Sequence, residues 1–289
     1  MPLVGTGVLA RAAADSGRGL GAFNVIQIEH ITAIIAGAEA AAAPVVLQIS
    51  ENTARYHGAL RPLAVAALAA ADAASVPVCV HLDHATSPEL IREAVTLGVP
   101  SVMYDASTLP YEENVSATAG LVRYCHRASV WVEAELGEVG GKEGVHTPGV
   151  RTDPAEAAAF VDATGVDGLA VAVGSSHAMV VRDAALDFAL ISALRAAVPV
   201  PLVLHGSSGV SDPDLARAVA EGMTKINIST HLNATFTEAV RSRILAHPLS
   251  VDPRRYLGAG REAMAVEVTR LLRLLKAAHQ APVTDTTPV

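Results

Sequence analysis

Short apolar runs alternate with longer stretches whose apolar residues recur at i, i+3 and i+4, and the order holds along almost the whole chain. The runs predict strands at Leu20–Asn24, Val45–Ser50, Val76–Leu82, Ser101–Tyr104, Val130–Glu135, Gly168–Val173, Leu202–His205 and Thr224–Ile228. The longer stretches predict helices, as where Ile28, Ile31, Ile34, Ile35 and Ala38 share one face. Ser87-Pro88, Asp153-Pro154 and Ser211-Asp212-Pro213 place a capping side chain beside a proline, the usual opening of a helix. Regular alternation of this kind predicts an α/β fold, a single-domain (β/α)₈ TIM barrel over residues 1–281, with a loose tail at 282–289. A doubly wound open sheet fits less well, because no Gly-x-Gly-x-x-Gly follows the first strand.

Composition narrows the class of function. The 289 residues are 51% hydrophobic but only 3% aromatic, so Ala, Val and Leu must fill the interior. A formal charge of −8 argues against nucleic-acid binding, which needs a basic face. Cys79 and Cys125 cannot form a disulfide framework. The longest apolar stretch is Ala-rich, broken by Glu39 and ended by Pro44, so no membrane span is expected. With no signal-peptide layout either, a soluble cytoplasmic protein is the expectation.

The third strand changes the picture. His81, Asp83 and His84 bring three ionisable groups to its C-terminal end. The period of two puts His81 and Asp83 on one face and His84 just past the strand. They read either as a metal ligand beside a general acid/base, or as a satisfied histidine pair with a capping carboxylate. In a barrel the active site sits at the C-terminal strand ends, and polar residues gather at those ends here: Asn24, Ser50, Asp105, Glu133 and Glu135, His177, and His205. Three histidines, His84, His177 and His205, from three strand ends can converge on one tetrahedral Zn²⁺ and leave a position open for catalysis. Asp105 and Glu135 are candidates to orient those ligands or to bind a second cation.

Gly206-Ser207-Ser208-Gly209 and Asn227-Ile228-Ser229-Thr230 follow the last two strands, where this fold often holds phosphate. Lys225, one of three lysines and the one inside a strand, is expected to strengthen that site; as an imine-former it would mark a competing mechanism. Gly140-Gly141-Lys142-Glu143-Gly144 reads as a lid carrying an acid/base, or as a plain surface loop with a solvated glutamate. The two other function classes are a barrel metallohydrolase, for which the first strand lacks a His-x-His, and a barrel that binds metal and phosphate without turnover.

The chain resembles the class II, zinc-dependent ketose-bisphosphate aldolases from Ala22-Phe-Asn24 through Arg261. The motifs that carry the resemblance are His81-Leu-Asp-His84, Val132-Glu-Ala-Glu-Leu-Gly137 with Gly140-Gly-Lys-Glu143, Leu169-Ala-Val-Ala-Val-Gly174 with His177, Val203-Leu-His-Gly-Ser-Ser208, and Lys225-Ile-Asn-Ile-Ser-Thr230. The resemblance implies a barrel that cleaves a ketose 1,6-bisphosphate, fructose bisphosphate foremost, to dihydroxyacetone phosphate and an aldehyde phosphate. Tagatose bisphosphate or another phosphorylated ketose or deoxy sugar acid is the alternative.

It also implies roles for single residues. His84, His177 and His205 become zinc ligands, one ion per chain, and Asp83 the proton donor to the aldehyde oxygen. Glu143 handles the proton on the triose carbon, Asn227 contacts the enediolate, and Na⁺ or K⁺ sits near the phosphate. Asn24, Ser50, Ala178, Gly206, Ser207, Ser208, Lys225, Ser229, Thr230 and Arg254 become substrate and phosphate contacts. A homo-oligomer, dimer or tetramer, is expected. The family usually has glycine at Ala106 and Ala178 and an acid at Gly144. Some members that prefer fructose bisphosphate carry a cation at Asn233, which leaves the second phosphate to Arg254 or Arg255, or without a holder.

Overall fold

The computed structural model describes residues 3–137, 151–177 and 179–277. Eight parallel strands close into a barrel in chain order: β1 Leu20–Asn24, β2 Val45–Ser50, β3 Val78–Ala85, β4 Ser101–Tyr104, β5 Trp131–Leu136, β6 Gly168–Val171, β7 Leu202–Leu204 and β8 Met223–Ile228. The sequence places every strand within a few residues. The notable error is β3, which begins two residues later than expected and runs three beyond Leu82.

Strict alternation sorts the side chains into two layers. Phe23, Leu47, Val80, Leu82, Val132, Ala134, Leu169, Leu204 and Ile226 point outward and join the helices in one large core. The inner face carries two small apolar clusters, Leu20, Ala22, Val46 and Cys79 in one and Met103, Ala170 and Val203 in the other, with the buried polar groups His81, Ser101, Glu133 and Lys225 between them. A parallel sheet covered on one face by helices and filled on the other is buried throughout, which is why its strands read as apolar runs.

A helix ahead of the first strand, α1 (Thr6–Asp15), closes the lower end. Leu9 and Ala10 pack against the bottom cluster, and the Thr6 hydroxyl lies 2.7 Å from Cys79 Sγ. With that end plugged, the cavity opens at the opposite mouth.

The helices that follow are α2 (Ile28–Ala41), α3 (Glu51–Tyr56), α4 (Arg61–Ala73), α5 (Pro88–Thr96), α6 (Tyr111–Arg127), α7 (Pro154–Thr164), α8 (Phe188–Ala197), α9 (Asp212–Glu221), α10 (Thr230–Ala246) and α11 (Pro253–Ala277). The three Pro-flanked starts behave as expected. Ser87 accepts from Leu90 N–H, Asp153 from Ala155 and Glu156 N–H, and Ser211 from Asp214 N–H. α11 lies along α2, and their backbones meet closely at Gly37, where a Cβ would come within 2.7 Å of Ala265 O. The expected tail at 282–289 lies outside the described residues.

Candidate active site

His84 is where local backbone geometry matters most. It lies inside β3 rather than beyond it, with φ of 49° and a register shift against β4 between Leu82 and Ala85. Simple alternation would turn this side chain outward, toward the helices. A bulge with a left-handed residue re-aims it, so His84 and its neighbour Asp83 both face the mouth. The strand ends here because Ala85 O still accepts from Asp105 N–H at 2.9 Å, while Ser87 opens α5.

Three imidazoles meet above the barrel. Ring centroids lie 4.4 Å apart for His84–His205, 5.0 Å for His84–His177 and 5.7 Å for His177–His205. Each ring offers a nitrogen to a common point, the three atoms lying within 4.8 Å of one another. His84 Nε2 and His205 Nδ1 approach to 2.7 Å, and the remaining nitrogens of the two rings meet carboxylates. His84 Nδ1 is 3.0 Å from Asp105 Oδ2, and His205 Nε2 is 2.9 Å from Glu133 Oε1. Histidines whose outer nitrogen is held by a carboxylate are oriented as metal ligands usually are, so the donor set fits a metal ion. Glu135 Oε2 lies 3.9 Å from His84 Nδ1, and His84, Asp105 and Glu135 form a second possible donor group.

Asp83 is held from both sides. Asn24 Nδ2 donates to one oxygen at 3.0 Å and Asn227 Nδ2 to the other at 3.4 Å, while Gln48 Nε2 donates to Asn24 Oδ1 at 3.0 Å. Burial by itself would raise this carboxyl. The basic groups beside it, His84, His205 and Lys225, outweigh burial and hold it well below the usual range. His81, on the same face one step lower, is a different case. Burial pushes it down to about 3, and its Nδ1 pairs with the Ser101 hydroxyl at 2.6 Å, so it is a neutral core histidine.

The mouth opens into a cavity of about 790 Å³. Its wall brings together most of the expected residues: Asn24 and Ser50, Asp83 and His84, Asp105, His177 and His205, and Gly206, Ser208, Asn227, Ser229 and Thr230. Gly206 sits at φ +67°, where a Cβ would meet Ser176 O at 2.5 Å, so the close approach of the two loops needs glycine. Ser208 Oγ accepts from Ser229 and His231 N–H, both at 3.2 Å, which ties the loop after β7 to the start of α10.

Three expectations for the phosphate end change. Lys225 is fully buried and ion-paired with Glu133 Oε2 at 2.9 Å, below the cavity rather than on its wall. An ammonium paired in this way is neither a free phosphate contact nor a free amine for imine chemistry. Arg254 lies on the surface, its guanidinium on Asp252, because it opens α11 away from the mouth. Ser207 turns its hydroxyl down to Leu204 O at 3.0 Å. Glu143 and Ala178 lie outside the described residues.

Two groups were underrated by sequence reasoning. Glu133 was legible as an inward carboxylate, but its partners on β7 and β8 are remote in sequence. Short α3 was missed, although Ser50 caps it by accepting from Thr53 N–H. That helix adds Asn52, Arg55 and Tyr56 to the cavity wall. Its Glu51 accepts from Thr86 and Ser87 N–H at 2.6 and 3.3 Å and pairs with Arg55 at 2.9 Å, joining the loops after β2 and β3.

Comparison with known proteins assigns this barrel to the aldolases, which are carbon–carbon lyases. The chain belongs to the class II fructose-bisphosphate aldolase family, whose pattern matches residues 5–280. A probable fructose-bisphosphate aldolase of Bacillus subtilis (strain 168) is 39% identical over 285 residues, 97% of this chain and 100% of that one. The solved structure of the YdjI aldolase from Escherichia coli superposes with a TM-score of 0.84 at 32% identity, covering 94% of this chain and 97% of the other. A putative fructose-1,6-bisphosphate aldolase from Coccidioides immitis gives 0.84 at 30% identity, over 94% and 96%. The class is generally metal-dependent, in keeping with the histidine and carboxylate donors gathered here.

Proposed function

We propose that this aldolase uses one Zn²⁺ per chain and reversibly cleaves a phosphorylated ketose, fructose 1,6-bisphosphate foremost, to dihydroxyacetone phosphate and an aldehyde phosphate. The observation that carries the reading is the placing of Asp83, fixed by Asn24 and Asn227, directly beside the paired imidazoles of His84 and His205. His84, His177 and His205 would hold the ion, which when bound supplies a Lewis acid for the ketone oxygen.

The chain's own groups carry the remaining steps. Ionised Asp83 is in the state that accepts the C4 hydroxyl proton during cleavage and returns it to the aldehyde oxygen in condensation. Asn227 Nδ2 donates toward the oxygen that gains charge as the bond breaks. Glu143, by resemblance, moves the proton on the triose carbon. Gly206, Ser208, Ser229 and Thr230 receive the triose phosphate, with Na⁺ or K⁺ beside it. Histidines, Asp83 and the phosphate loops therefore follow one another around the mouth, and the aldehyde portion extends toward the loops after β2 and β3. We assign the working enzyme to the cytoplasm as a homo-oligomer; among the described residues no helix is long and apolar enough to cross a membrane.

A second substrate reading has its own support. Arg254 is absent from the wall while Arg55 stands on it, the one arginine among the described wall residues. A distal anion placed differently from a fructose 6-phosphate would suit that wall. A coupled assay of dihydroxyacetone phosphate release from fructose bisphosphate, tagatose bisphosphate and ketose phosphates with a terminal carboxylate tests both. Release from none of them by zinc-loaded protein would end the aldolase mechanism; release only from the carboxylates would replace the first substrate with the second.

A further inference from the structure

We propose that Lys225 and Glu133 form a buried positioning pair that fixes the orientation of His205 and Asn227, touching neither substrate nor metal. The inference rests on the reading of His205 as a metal ligand.

The pair lies inside the barrel beside Met103 and Val203, which are in register with Glu133 and Lys225, and both side chains are wholly buried. A charge there is tolerated only when its partners satisfy it. Among the described residues Lys225 Nζ has two, Glu133 Oε2 at 2.9 Å and Asn227 Oδ1 at 2.9 Å. An ammonium only donates. It therefore forces Asn227 to turn its oxygen downward, and the amide Nδ2 is left facing Asp83 Oδ1. Without it the amide has no reason to prefer that orientation over its flip, which would set an oxygen lone pair against an ionised carboxylate.

Glu133 does the same for the ring. Its Oε1 lies 2.9 Å from His205 Nε2, and a carboxylate only accepts, so that nitrogen carries the proton. Nδ1 then keeps its lone pair, and this is the atom facing His84 Nε2 at 2.7 Å, where the ion would be. The 3.3 Å approach of Asn227 Nδ2 to His205 Nε2 is in this state a contact between two hydrogen-bearing atoms, and the shorter carboxylate bond decides the tautomer. One lysine thus removes two ambiguities: the flip of Asn227 directly, and the tautomer of His205 through the carboxylate it neutralises. Strands β5 and β8 and the end of β7 supply the parts, which explains why Lys225, the one lysine inside a strand among the described residues, lies where no solvent reaches it.

The test uses full-length protein stripped of metal and reloaded with Zn²⁺. Affinity is read by competition with a chromogenic chelator, and kcat and KM by triose-phosphate release. Glu133→Gln should weaken zinc binding 10–100-fold, the usual effect of losing the group that orients a ligand. Lys225→Met should lower kcat at least tenfold and leave KM for the ketose bisphosphate within about twofold. Should Lys225→Met fail to fold because Glu133 is left uncompensated, the double variant Lys225→Met/Glu133→Gln, which buries no charge, carries both readouts. His205→Ala is the control for the underlying assignment. If it loses zinc while Glu133→Gln and the double variant bind as tightly as wild type, the positioning role is wrong and the ligand assignment stands. If His205→Ala binds zinc normally, the assignment fails and this inference with it. A rise in KM without loss of kcat in Lys225→Met would return the lysine to the phosphate and overturn the pair.

Discussion

His84 Nε2 and His205 Nδ1 lie 2.7 Å apart although 121 positions separate the two residues in the chain. Both rings are pinned from behind, by Asp105 and Glu133, so the approach is built into the barrel. Two imidazole nitrogens directed at one point are best satisfied by a shared cation. The isolated protein should therefore hold about one Zn²⁺ per chain. Chelation should abolish turnover, and added zinc should restore it. His84→Ala should cut metal content by elemental analysis, and full activity in metal-free protein would sink the mechanism.

Asp83 gives a sharper test, because its neighbour is a proposed ligand and it is not. Replacing a general acid/base typically removes 10²–10⁴-fold in rate. Asp83→Asn keeps the size of the side chain, so it should lose activity on that scale and keep its zinc. Loss of metal along with activity would show that the roles of these neighbours are reversed.

The barrel itself was legible because parallel strands are apolar runs and their helices have period 3.6, both local signals. The mouth was largely legible too, since polar residues at strand ends interrupt those runs. What escaped depends on geometry or partners remote in sequence. Period-two counting sets His84 beyond the strand, but a bulge with a left-handed residue keeps it inside and turns it inward. Lys225 next to a Gly/Ser loop reads as a phosphate contact until Glu133, from another strand, is seen to hold it. Arg254 failed for a similar reason: nothing local says which way the start of α11 faces.

Acid should weaken the fold through His30. Burial pushes this ring down to about 4, and its Nδ1 accepts from Ile26 N–H at 3.3 Å, so the folded state holds it neutral. The unfolded chain takes up the proton below its ordinary value of 6.5, whereas the folded chain does so only near 4. Stability is thus fully present above about pH 6.5 and falls as pH drops toward 4, by roughly 2 kcal/mol at pH 5 from this group alone. Urea unfolding of His30→Gln across that window should show a shallower pH slope than wild type. A residual slope of the same sign remains from His81, which burial also lowers. Identical slopes in variant and wild type would remove His30 from the account.

Substrate choice should be decided on the wall after β2 rather than at Arg254. Arg55 lies on the cavity, mostly exposed and tied to Glu51 and Asn52, both at 2.9 Å, so its contact with a substrate anion is partly screened. A contact of that kind is worth at most about 1 kcal/mol, or roughly fivefold in an equilibrium. Arg55→Gln should therefore raise KM up to about fivefold for a ketose with an anionic far end. It should leave a ketose monophosphate with a neutral far end nearly unchanged. Arg254→Gln, remote from the mouth, should alter neither. Asn233 is half-buried, on the first turn of α10, and is not among the described wall residues, so Asn233→Arg should leave the ratio of the two substrates where it was. Measuring kcat/KM for all three variants on both substrates separates the possibilities. Equal losses on charged and neutral far ends in Arg55→Gln would mean that Arg55 only braces Glu51, and a change of ratio in Asn233→Arg would move the distal site to α10.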